Sequence, residues 1–139
     1  MADLTGKTWM AIGETDDPTA RIAGFEAAAD ITKGDPVYLS ADDKVSPAAS
    51  ALDCIGIATQ SVATGKMCPV VVEGRVKAKA GGAITRGKAV YGADSSKRVL
   101  ALADINEGGT STISWTKKLG IALESTTAAD DLLFIIVEK

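Results

Sequence analysis

Ile31-Thr32-Lys33-Gly34-Asp35-Pro36-Val37-Tyr38 returns 53 residues later as Ile84-Thr85-Arg86-Gly87-Lys88-Ala89-Val90-Tyr91. The echo continues beyond the turn. Asp42-Asp43-Lys44-Val45 is matched by Ser95-Ser96-Lys97-Arg98-Val99, Ile55-Gly56-Ile57-Ala58 by Leu119-Gly120-Ile121-Ala122, and Val71-Val72-Glu73 by Ile136-Val137-Glu138. Two copies are fewer than the roughly three a solenoid needs to bury a continuous core. They suit a pair of β-motifs closing one small barrel or sandwich, related by a pseudo-two-fold.

The chain has 139 residues, which predicts one domain able to bury a genuine core. Aromatic residues make up only 4%, so that core is built from Ala, Val, Ile and Leu, with little buried area per side chain. Part of the stability is then expected from association. Eighteen acidic and fifteen basic residues give a net charge of −3, and the basic ones are scattered. Duplex binding requires clustered Lys and Arg to displace counterions, so nucleic acid is not expected as a partner. The longest apolar run, Leu132 to Val137, is far short of the ~20 residues of a membrane span. Met1 to Lys7 shows no basic region followed by an apolar stretch, so no secretory signal is expected.

Residues 1 to about 20 read as an extended N-terminal arm, in which Leu4, Trp9, Met10 and Ile12 are isolated apolar anchors among Thr, Gly, Asp and Pro. Residues 21–139 read as the β-domain, with quasi-repeats over about 31–75 and 84–139. The clearest strand runs from Val70 to Ala80, where Glu73, Arg75, Lys77 and Lys79 alternate with small apolar residues. One face is expected to be charged and exposed. Gly74 marks a bend where the strand passes from one sheet to another. Leu132 to Val137 lacks alternation and reads as a central strand covered on both faces. Further strands are expected at 36–39, 54–60, 89–91, 99–102, 111–115 and 119–123. Ser46 to Leu52 reads as two turns of helix, with Ser46 as N-cap and Pro47 at the first helical position. The second copy has a longer excursion, Asp104 to Lys118, whose Gly108-Gly109 predicts a hairpin or loop tip.

Chemistry has little to work with. There is no histidine, and Cys54 and Cys68 alone cannot complete a zinc site. They read as small buried hydrophobes, with a disulfide left open. Gly82 to Ala89 nearly spells a phosphate-binding loop, but Ala89 replaces the required hydroxyl, and a strand rather than a helix follows. Asp130-Asp131 lies in a turn and is not an acid and base pair. No nucleophile is spaced with a base, and the chain reads as non-enzymatic, with no cofactor and no metal. Asp42-Asp43-Lys44-Val45, on a hairpin tip, resembles the modified-lysine turn of lipoyl carrier domains, which would make Lys44 an acylated residue. Against this, Lys97 takes the equivalent place in the second copy.

In order, the turn Ala29 to Tyr38, Ile55 to Ala58, Val70 to Val76, Gly87 to Tyr91 and Leu119 to Ala122 before a terminal strand resemble the small capsid decoration, or cement, proteins of tailed bacteriophages. These include a family once labelled as phage-associated recombinases of the RecA/RadA type. The resemblance covers about Ala23 to Lys139 and leaves the arm outside it. It implies an all-β fold, a small barrel or β-tulip. It implies a homotrimer on the exterior of the virion capsid, at three-fold and quasi-three-fold positions, made in the bacterial cytoplasm and clamping neighbouring major capsid subunits. Leu4, Trp9, Met10 and Ile12 would then be capsid-binding residues, because aromatic and Met side chains are enriched in interface cores. The alternatives are the carrier domain or a β-module of a phage fibre or tail.

Overall fold

Both copies of the Ile-Thr-Lys/Arg-Gly turn fold the same way because glycine supplies the left-handed conformation at the same place, with φ of 94° at Gly34 and 82° at Gly87. The Asp35 amide donates to the Thr32 carbonyl at 3.0 Å and the Lys88 amide to the Thr85 carbonyl at 3.1 Å. The chain then reverses into a strand. The computed structural model describes residues 10–50, 53–102, 105–107, 110–112 and 118–138. Its strands are β1 (Arg21–Ala27), β2 (Pro36–Ala41), β3 (Lys44–Pro47), β4 (Cys54–Ala58), β5 (Met67–Lys79) and β6 (Ala89–Gly92). They continue with β7 (Val99–Ala101), β8 (Ile105–Glu107), β9 (Thr110–Thr112), β10 (Lys118–Ala122) and β11 (Leu132–Val137).

The fold is all-β, and among the described residues there is no helix. The strand order is β1-β3-β2-β4-β5-β11-β10-β6-β7, and β1 also pairs with β5. β1, β3, β2, β4 and the first half of β5 therefore close a five-stranded barrel. The second half of β5 runs on as the first strand of a matching unit with β11, β10, β6 and β7, closed by a single bridge from Ala80 to Val99. Gly74, with φ of 120°, sits at the change of partner: Glu73 pairs with Arg21 of β1, and Gly74 with Val137 of β11. The bend expected there is present.

The duplication extends to register. Ala23 faces Val70 as Val76 faces Ile135, and Val37 faces Gly56 as Val90 faces Gly120. The parallel contact of Ala27 with Val45 recurs as Ala80 with Val99. One barrel packs Ala27, Ile31, Val37, Val45, Ala58, Cys68 and Val70 inside. Their counterparts Ala80, Ile84, Val90, Val99, Ala122, Leu133 and Ile135 are all buried in the other.

The barrels meet through different faces. Cys54, Ile57 and Val71, on the outside of the first, are buried in one cluster with Ala78, Leu119 and Val137 of the second. A two-fold would bury Ile121 and Ile136, the counterparts of Ile57 and Val71, and both are only half-buried. The expected pseudo-two-fold is thus replaced by a head-to-tail contact.

Three local expectations change. Ser46 and Pro47 belong to strand β3 rather than a helix: Pro47 ends the strand opposite Val37, where its missing N–H costs no ladder bond, and the next amide, Ala48, donates to the Pro36 carbonyl at 2.8 Å. Lys77, expected on an exposed face, is 3% exposed. Its backbone accepts from the Gly13 amide at 2.7 Å and donates to the Glu14 carbonyl at 2.9 Å, so the chain before β1 pairs with the edge of β5, while the Lys77 side chain lies over the Phe134 ring and 3.5 Å from Glu124 Oε1. Finally, the repeats align Asp43 with Lys97, both left-handed at φ of 59° and 60°, so the counterpart of Lys44 is Arg98 and not Lys97. The Gly108-Gly109 excursion is flanked by a hairpin pairing Glu107 with Thr110; residues 113–115 of the strand expected at 111–115 lie outside the described residues.

Candidate functional site

The polar groups singled out in the sequence are used to hold turns. Lys44 lies half-exposed at the β2–β3 turn with its ammonium 2.8 Å from Glu26 Oε2. The hydrogen bond from Lys44 to Glu26, reinforced by the opposite charge, raises the lysine above its usual pKa and keeps it protonated, which disfavours it as an acyl acceptor. Gly87 ends its turn and Ala89 opens β6, so no helix N-terminus is present to cradle phosphate. Asp131 Oδ2 accepts from the Thr127 and Ala128 amides at 3.2 and 3.1 Å, and Asp130 Oδ1 from Arg98 Nη1 at 3.1 Å. Cys54 and Cys68 are buried thiols that are not joined in a disulfide. Cys54 Sγ donates to the Gly92 carbonyl at 3.2 Å, across the boundary between the barrels. Burial pushes the Cys68 thiol up, with the Asp35 carboxylate adding to it. No group of side chains suited to a metal is found among the described residues.

The four apolar residues of the arm divide. Leu4 and Trp9 lie outside the described residues. Met10 is 4% exposed and packed within its own subunit. Ile12 lies over Gly34, where a Cβ would collide with its side chain. Met10 to Ala20 are held by more than apolar contact. Asp17 caps its own turn by accepting from the Thr19 amide at 2.9 Å and hydroxyl at 2.6 Å, and it reaches the Arg75 amide at 3.4 Å. These hydrogen bonds from Thr19, with the Arg75 amide and charge, hold the Asp17 carboxyl below its usual range. Glu14 Oε2 meets Lys33 Nζ at 3.0 Å.

The surface that the sequence reading missed is apolar. Phe25, Leu39, Ile55 and Val72, with Arg21, Ala23 and Glu73, line an open depression on the first barrel. Leu39 is 51% exposed. Counterparts of three of these residues, Ala78, Leu119 and Val137, are sealed in the second barrel by its neighbour. Aligning the repeats position by position contains the signal, since Leu39 stands where the second copy has Gly92. Apolar side chains left open at positions that are buried in a sibling unit make the depression a candidate interaction surface.

The comparisons with known proteins agree in kind. The chain is similar to the head fiber gp8.5 N base of bacteriophage phi29, at 15% identity and a TM-score of 0.57, over 86% of this chain and 95% of that one. At that identity the likeness speaks for the fold alone. Among curated proteins none matches the chain in sequence. The phage cement protein family matches residues 25–138, from β1 to the end of β11. With all of the duplicated barrel but the first four residues of β1 inside that match, the chain belongs to the phage cement protein family and is a structural protein associated with the virion capsid.

Proposed function

We propose that the protein binds the outer surface of the phage head as a homotrimer, at three-fold and quasi-three-fold positions, and stabilises the lattice of major capsid subunits. The family match over residues 25–138 carries this reading. The structure supports it physically. The polar groups described above are committed to turns and ion pairs, and what remains is a rigid double barrel with apolar surface. A cement protein needs a stiff body and matching faces, not reactive groups.

The arm supplies attachment in this reading. Met10 and Ile12 fasten its base to the barrel, and Leu4 and Trp9 are the residues that reach the capsid, Trp9 as the aromatic anchor. Three arms on one trimer reinforce each other, because the second and third contacts form at high effective concentration.

Cosedimentation with expanded heads tests the proposal. The full chain is expected to pellet with heads to a saturating ratio and to raise their resistance to heat or low salt. Failure to pellet with its own phage's heads would overturn attachment. The solved neighbour is a head fiber base, which favours one second reading: a base that carries further protein outward from the head. Binding that leaves head stability unchanged would favour that reading.

A further inference from the structure

We infer that the open depression on the first barrel is the seat for a second copy of this chain, which docks through the outside of its second barrel in the same head-to-tail sense as the contact within one chain, with Phe25 and Leu39 in place of Ala78 and Gly92. The inference deepens the self-association part of the proposed function and does not depend on capsid binding.

The internal duplication supports it. Within the chain, the outer residues Tyr38, Ile57 and Val71 of the first barrel pack against the second, sealing Ala78, Leu119 and Val137. Because that contact is head-to-tail, each participating face is left over once. The unused seat is Phe25, Leu39, Ile55 and Val72. The unused knob is Tyr91, Ile121 and Ile136 on β6, β10 and β11, all half-buried and therefore partly open. A contact of this type closes into a ring or runs on as a filament, and its partner surfaces are distinct.

Charge makes the match specific. Across the internal contact, Asp35 Oδ2 of the first barrel lies 4.0 Å from Lys97 Nζ of the second. The counterpart of Asp35 is Lys88, whose carbonyl accepts from the Ala122 amide as that of Asp35 accepts from Ala58. The counterpart of Lys97 is Asp43, at the same left-handed turn position. Between copies, Lys88 of one chain would face Asp43 of the next. Both signs are reversed and the attraction is kept, and both residues are exposed.

The test uses the full chain without heads, so its failure leaves capsid attachment untouched. Sedimentation equilibrium should show a multiple of 14.2 kDa at micromolar concentration. Leu39→Glu should raise the concentration of half-dissociation by about tenfold or more while leaving the unfolding midpoint of the dilute, dissociated protein unchanged. Asp43→Lys should weaken association several-fold, and adding Lys88→Asp should restore it. Each of these two residues then stands where the other barrel already carries it, so folding is preserved. A monomer at all concentrations, or an oligomer indifferent to Leu39→Glu and Asp43→Lys, overturns the inference.

Discussion

Gly56 and Gly120 occupy the same place in the two barrels, each pressed against a neighbouring backbone: a methyl group on Gly56 would strike the Val71 carbonyl, and one on Gly120 the Ile136 carbonyl. Gly56 faces Val37, and Gly120 faces Val90. Strand β4 can approach β5, and β10 approach β11, only because neither residue carries a Cβ. The requirement is steric and comes from backbone, which cannot move aside as a side-chain tip can.

Gly56→Ala and Gly120→Ala are therefore each expected to destabilise the protein by about 2 kcal/mol or more, in the range of overpacked core sites. Gly82→Ala is the control, because a Cβ there meets nothing within 4 Å. Denaturant unfolding should lower the midpoint for the first two and leave the third within error. Equal behaviour of all three would contradict the close approach.

Glu124 ties the outside of the second barrel together. Its Oε1 accepts from the Phe134 amide at 2.7 Å and lies 3.5 Å from Lys77 Nζ. The Lys77 ammonium and the Arg75 guanidinium both lie over the Phe134 ring, 4.4 and 4.6 Å from its centroid. Glu124→Ala should cost about 1–3 kcal/mol, because it strips both a backbone donor and a buried lysine of their acceptor. Glu124→Gln keeps the bond to Phe134 and should cost less. If the two variants unfold together, the lysine contact carries the whole effect.

Asp35 predicts a pH dependence of known sign. Burial raises its carboxyl above the usual range, with the Thr32 amide and the charges of Lys97 and Lys79 pulling the other way. A raised folded-state value means that its contribution to stability is fully present below about 3.8, the ordinary Asp value, and is lost as pH rises through the folded-state value. Asp35→Asn, neutral throughout, should exceed the wild type in stability at pH 7, and its advantage should shrink on acidification toward the ordinary Asp range. An advantage that grows on acidification would show that Lys97 and Lys79 dominate.

How much of this could be read beforehand follows from what each feature depends on. The doubled turn was legible because Gly34 and Gly87 answer to local backbone geometry. The break at Gly74 was legible because an interrupted period-2 pattern has few other meanings. Pro47 misled because Ser-Pro before small residues fits a helix start equally well, and the β2–β3 pairing that decides for a strand is not local. Lys77 misled for the same reason. Alternation gives the two faces of a strand but not what lies over them, and here the ammonium is met by Phe134 and Glu124, more than forty residues later in the chain. The open seat at Phe25 and Leu39 was hidden because exposure depends on how the barrels are stacked.

The arm supplies the last prediction, and two truncations separate its parts. Removing residues 1–9 takes away Leu4 and Trp9, the proposed capsid anchors, and keeps every contact described for Met10 to Ala20, so head binding should weaken. Trp9→Ala alone should cost on the order of 1–2 kcal/mol per site as an interface anchor. Removing residues 1–20 also strips the Gly13 and Glu14 bonds from Lys77, the Asp17 bond from Arg75, and Met10 from its buried place. Backbone edges and apolar surface on β5 are then bared, so this longer deletion should lower stability and invite association through the open edge. Limited proteolysis gives an independent reading, with cleavage between Gly13 and Ala20 expected to be slow. If the shorter truncation binds heads as tightly as the full chain, attachment does not run through Leu4 and Trp9 and must come from the barrel itself.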